Sequence, residues 1–158
     1  MGKRNLGERI HVVPLLAPAQ ISATTTIAGI NMGLFNQVDF IIALGDLAAA
    51  DFTLTMAEDT ASTLTSADAI AFEYRVSAAA GTDTMGAVTA VANTGLALTN
   101  TAYDNMTIVV SVDSDALTDT HKYIRPVLTK GGSATAYVSV TALCYPRYQQ
   151  PTPTAALT

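Results

Sequence analysis

Apolar residues recur at every second position through the middle of the chain. In "VDFIIAL", Val38, Phe40, Ile42 and Leu44 share one parity, and in "DFTLTMAED" Phe52, Leu54 and Met56 alternate with Thr53 and Thr55. "IAFEYRV" repeats the pattern with Ile70, Phe72, Tyr74 and Val76, and "MTIVVSV" with Met106, Ile108, Val110 and Val112. A period of two sends successive side chains to opposite faces of an extended chain, so each stretch predicts a half-buried strand. Weaker runs at Thr24 to Ile30, Ala87 to Val91 and Leu96 to Leu98 predict short strands. Tyr123 to Leu128 and Tyr137 to Cys144 flank Lys130-Gly131-Gly132-Ser133, and this Gly-rich link predicts a hairpin.

About eight strands at short, even spacing form the pattern of a sandwich or barrel. The expected fold is therefore all-β: a single antiparallel β-sandwich, jelly-roll-like, over residues 21–148. A chain of 158 residues closes one such core without disulfides or metal. The two ends read differently. Pro14 and Pro18 bar the stretch from Arg9 onward from a central strand position, so residues 1–20 read as an extended N-terminal arm, an edge or a tail. "YPRYQQPTPTAALT" carries Pro146, Pro151 and Pro153 and little to bury, so residues 149–158 read as an extended C-terminal tail.

Composition changes the picture of the surface. Apolar residues make up 49% of the chain and charged residues 13%, about half the usual charged share, which predicts a largely neutral exterior. The net charge of −5 is unevenly spread: Lys3, Arg4 and Arg9 lie in the first nine positions, while Arg75 is the only basic residue between Asp39 and Asp119. An acidic body of this kind lacks the Lys/Arg face that phosphate backbones need, so nucleic acid is not an expected partner. No apolar run approaches the roughly 20 residues that span a bilayer, and a membrane is not expected either. The opening faintly imitates a signal peptide, but Glu8, Arg9, His11 and Pro14 interrupt it, and it reads as mature chain.

Candidate chemistry is sparse. His11 and His121 are the only histidines, one in the arm and one in a turn, and no nucleophile elbow, zinc motif or phosphate-binding glycine loop is present. Asp113, Asp115 and Asp119 open like a calcium loop, but Leu117, Thr118 and Ile124 stand where such a loop needs an oxygen ligand, glycine and glutamate. They read as a polar turn, with no metal and no cofactor expected. "EDTAST", Glu58 to Thr63, reads as a solvated strand end. Cys144, the single cysteine, falls on the inward parity of the last strand and reads as a small buried hydrophobe. Catalysis is not expected.

From "FIIALGDLAAADFTLTMAED" through "HKYIRPVLTKGGSATAYVSVTALCYPRY", residues 35–148, the order of elements resembles a family of small tailed-phage head proteins, the capsid decoration or cement proteins. The resemblance lies in the "DFTLTMAED" strand, the Tyr123-Ile124-Arg125 strand, and a final apolar strand ending in Pro146-Arg147. It implies a β-sandwich that binds the outside of an assembled icosahedral shell, often as trimers. The partners would then be the major capsid protein and further copies of the chain, and the location the virion's outer surface after synthesis in the host cytoplasm. On that footing Ile10, Val12, Val13, Leu15 and Leu16 are expected to add apolar contacts or a strand to a neighbour. Lys3, Arg4 and Arg9, with Arg147 at the other end, are expected to meet its carboxylates. The alternative is a glycan- or receptor-binding β-sandwich on the virion surface or tail; the absence of Trp and the scatter of the six tyrosines weigh against a sugar platform.

Overall fold

The inward row of Val38, Phe40, Ile42 and Leu44 belongs to a strand twice as long as its pattern, and all four side chains are buried. The computed structural model describes residues 9–48, 51–133, 135–148 and 156–157. Its strands are β1 (His11–Ile21), β2 (Thr25–Thr26), β3 (Ile30–Asn31), β4 (Phe35–Ala48), β5 (Phe52–Asp59), β6 (Asp68–Ile70), β7 (Phe72–Val76), β8 (Thr89–Val91), β9 (Leu96–Leu98), β10 (Thr107–Asp113), β11 (Tyr123–Lys130) and β12 (Thr135–Pro146). A helical turn α1 (Asn100–Tyr103) precedes β10, and a 3₁₀ turn at Ser114–Ala116 follows it.

Every pairing is antiparallel. A long sheet runs β1-β12-β4-β10-β7-β8, and a short one runs β2-β11-β5-β6, with β3 also on β11 and β9 also on β5. The chain is an all-β sandwich, as its alternation requires. Residues directly opposite in antiparallel strands share a face. A core row therefore crosses five strands of the long sheet, from Tyr74 to Val110, Phe40, Ala142 and Val13, and all five residues are buried. Phe52, Leu54, Met56, Ile124 and Leu128 meet it from the short sheet, each at most 1% exposed. Burying side chains of this size contributes about 1.5–3 kcal/mol apiece, before chain entropy is offset.

The expected hairpin is not formed. β11 lies in the short sheet with β5 on one side and β2 and β3 on the other, while β12 lies in the long sheet between β1 and β4. Both edges of each strand are occupied, so the Gly-rich link crosses between sheets. The Gly131 amide donates to the Asp51 carbonyl at 2.9 Å, a Cβ on Gly131 would stand 2.6 Å from that oxygen, and Gly132 has a φ of +55°. "IAFEYRV" likewise divides: β6 pairs with β5 in the short sheet and β7 with β10 in the long one, so the chain changes sheets at Ala71. The alternation survives because both sheets bury the side that faces the other.

Both ends, read as an extended arm and tail, make contacts within their own chain. His11–Ile21 is extended and lies at an edge, but it pairs along β12 of its own chain, and Val13 and Ile21 are buried. The ladder shifts register between Pro14 and Leu16 and again between Leu16 and Ala19, where Pro14 and Pro18 remove amide donors. At the other end, Ala156 is 2% exposed and Leu157 bridges to Ile30. Lys3, Arg4, Pro151 and Pro153 lie outside the described residues.

Candidate functional site

The outer face of the long sheet is built by the residues that alternate with the core row. One line across it runs Arg75, Val109, Ile41, Thr141 and Pro14; the next runs Glu73, Ser111, Asp39, Leu143 and Val12. Its centre is thus Val109, Ile41 and Leu143, and Val12 at its margin is 42% exposed. Asp39 accepts hydrogen bonds from the Gln37 amide at 3.0 Å and from the Tyr145 hydroxyl at 2.9 Å. The bond to Asp39, aided by burial, pushes the Tyr145 phenol above its ordinary value. A fixed carboxylate and a fixed phenol therefore sit beside the apolar centre.

Further along the same face the side chains become small. Ala43, Gly45 and Ser139, with Pro18, Gln20 and Tyr137, line a depression of about 370 Å³ whose lining among the described residues is uncharged. Gly45 keeps it open to Tyr137, since a Cβ at Gly45 would come 3.0 Å from the Tyr137 Cβ. Tyr137 itself is 53% exposed. With its neutral lining and exposed aromatic rim, the depression has the character of a contact surface.

The residues expected to bind a partner divide between this face and the core. Arg9 is exposed and Ile10 half-buried just before β1, and Val12 lies on the outer face. Val13 does not serve as a contact: it is the fifth member of the buried core row. Leu15 and Leu16 are half-buried and packed against the core, leaving little of either for a partner. Arg147 is exposed but anchored, with its amide on the Leu34 carbonyl at 3.1 Å and its guanidinium on the Met32 carbonyl at 3.4 Å. Ile41, Val109, Leu143 and Tyr137 were not among the expected contacts. Their signal was present, because they are apolar at positions where a one-sided strand would be polar.

A second polar grouping lies at the end of β5, and it overturns the reading of "EDTAST" as solvated for Glu58 and Asp59, while Thr60, Ala61 and Thr63 are exposed. Glu58 is 1% exposed and Asp59 6%. Glu58 shares the inward parity of Phe52, Leu54 and Met56; its carboxylate accepts the Thr118 amide at 3.0 Å and the Thr118 hydroxyl. His121 Nδ1 stands 3.0 Å from Glu58 Oε1 without forming a hydrogen bond. Asp59 points the other way and accepts the amides of Ala61 and Ser66, each at 3.1 Å. The Ala61 amide, more than any other group, holds the Asp59 carboxyl below its ordinary value. Arg125 donates to the Leu64 carbonyl at 2.8 Å, its own pKa lowered by burial against the opposing pull of Asp59. The grouping ties loops to a strand.

Asp113 ends β10, Asp115 lies in the 3₁₀ turn and Asp119 in the turn beyond; among the described residues no three His, Cys, Asp or Glu side chains gather as metal ligands. His11 packs edge-on against Phe35, ring centroids 6.2 Å apart. Cys144 is fully buried, as its parity implied. No helix among the described residues is long and apolar enough to cross a membrane. No protein-family model matches the chain, and neither the curated proteins nor the solved structures yield a match.

Proposed function

We propose that this chain is a structural virion protein that binds the outer surface of an assembled phage capsid and bridges neighbouring capsomers, acting as a homotrimer and without catalysis. One observation carries the reading. The central strands of the long sheet set Ile41 of β4, Val109 of β10 and Leu143 of β12, each half-buried, on the outer face among the polar Asp39, Ser111 and Thr141, while Phe40, Ile42, Val110 and Ala142 face inward. An apolar centre on an outer face marks a contact surface, and among the described residues the short sheet packs on the inner face alone.

A capsid shell supplies the second cover in the form the resemblance to decoration proteins implies. Val12, Ile41, Val109, Leu143 and Tyr137 then make the apolar contacts, with Arg9 and Arg147 meeting shell carboxylates at the rim. The outer edge of β1, unpaired among the described residues, is available to a strand from the shell. Many symmetry-related copies multiply a modest individual contact into large avidity.

The test is binding of variants to undecorated shells, measured by co-sedimentation. Leu143→Asp and Ile41→Asp are expected to weaken binding at least tenfold while the circular dichroism spectrum stays that of a sandwich. Arg9→Glu and deletion of residues 1–8 are expected to weaken it further; a deletion through residue 20 is unsuitable, because it removes a strand of the core. Unchanged binding by folded Leu143→Asp and Ile41→Asp proteins removes this face from the proposal. Binding to cell-surface sugars with no affinity for shells replaces the proposal with the receptor-binding reading.

A further inference from the structure

Arg147 and Ala156 are tied to opposite ends of one turn. The turn from Asn31 to Leu34 closes on itself, the Leu34 amide donating to the Asn31 carbonyl at 3.2 Å. The Arg147 amide donates to the Leu34 carbonyl at 3.1 Å, and the Asn31 amide donates to the Ala156 carbonyl at 3.2 Å. The ends of a four-residue turn lie within about 7 Å of each other. The chain therefore leaves the body at Arg147 and, nine residues later, is held again on the order of 10 Å away.

The intervening sequence is poorly suited to such a return. It reads Gln149-Gln150-Pro151-Thr152-Pro153-Thr154-Ala155, and alternate prolines bias themselves and the residues before them toward extended backbone. At the polyproline rise of about 3.1 Å per residue, the nine steps from Arg147 to Ala156 reach roughly 28 Å. The receptor, by contrast, is well built. Ala156 is buried among the core residues, Ile30 and Met32 are at most 2% exposed, and Leu157 pairs antiparallel with Ile30, whose other side is held by Ile124 of β11. An isolated bridge at Leu157 thus covers part of the edge of the short sheet at β3.

An edge site whose occupant follows a sequence that favours extended backbone is filled equally well by the same segment of a neighbouring copy, with identical contacts. We infer that residues 156–157 form an exchangeable edge segment, and that in the assembled protein the receptor at Ile30 to Met32 takes the same segment of a second copy. This deepens the proposed self-association and is independent of shell binding.

The experiment uses purified full-length chain and no shells. Leu157 is 43% exposed and lies outside the core cluster, so it is the position replaced with a photo-crosslinking benzoylphenylalanine. Isotopically heavy and light copies of that variant are unfolded together, refolded, irradiated and digested, and the peptide containing Ile30 is analysed by mass spectrometry. Cross-links joining heavy and light peptides in statistical proportion are expected; cross-links confined to peptides of one label overturn the inference. A second readout needs no refolding. The chain ending at Tyr148 is expected to elute from a sizing column at a smaller assembly than the full chain, and identical elution of the two likewise overturns it.

Discussion

Thr118 donates its backbone amide to the Glu58 carboxylate at 3.0 Å across sixty positions of sequence. The neighbouring Asp59 performs the mirror task, because adjacent residues of a strand must point to opposite faces. Glu58 braces the segment before β11 on the inner side of the short sheet, and Asp59 braces the loop from Ala61 to Ser66 on the outer side. The end of β5 is thereby a two-sided clamp.

Replacing Glu58 with Ala strands the Thr118 amide and hydroxyl in a nearly dry site. A stability loss of about 1–3 kcal/mol is expected, the usual penalty for an orphaned buried donor, read as a lower urea midpoint. Glu58→Gln keeps one acceptor and is expected to lose less. Equal losses in the two variants would assign the effect to packing instead.

Asp59 gives the clamp a pH dependence. Its carboxyl sits below the ordinary 3.8, so the folded state favours the charged form. That contribution is fully present above the unfolded value and is lost as pH falls through the lower folded one. Wild-type stability is expected to fall more steeply below about pH 4 than that of Asp59→Asn, whose side chain does not titrate. Thermal melts across that range decide it; parallel curves count against the clamp.

Cys144 is fully buried, and burial pushes its thiol up to about 12. Only thiolate reacts with alkylating reagents. At pH 8 the native protein is expected to resist iodoacetamide, and the urea-unfolded chain to react at the rate of a free thiol. Rapid labelling of native protein would show that β12 opens readily.

Gly95 carries a φ of +91°, and a Cβ there would approach the Leu54 carbonyl to 2.7 Å and Thr55 Cγ2 to 2.6 Å. Gly95→Ala combines backbone strain with a clash against β5, and a loss of about 2–4 kcal/mol is expected by urea unfolding. A change within about 0.5 kcal/mol, the range of an ordinary surface substitution, would mean that the turn before β9 relaxes freely.

The inward rows were legible in sequence because a strand with one buried face imprints a period of two: Val38 to Leu44 and Phe52 to Met56 are all core. Pairing was not legible. β11 and β12 carry the same alternation whether they face each other or lie in different sheets, and Gly131-Gly132 permits either path. Glu58 could not be read as buried, since what makes its burial tolerable is Thr118 and His121, far away in sequence. Pro14 and Pro18 marked an edge strand correctly but did not reveal that its partner is β12 of the same chain. The candidate docking face was half legible: Ile41, Val109 and Leu143 broke the alternation, and only the sheet order brings them together.

The proposal that this chain binds and strengthens a preassembled shell is tested most directly by mixing wild-type protein with undecorated phage shells. Co-sedimentation should saturate at a fixed number of copies per shell, and the decorated shells should rupture at a higher temperature than bare ones, because each bound copy adds interface that must break first. Protein that stays in the supernatant, or that binds without raising the rupture temperature, contradicts the account.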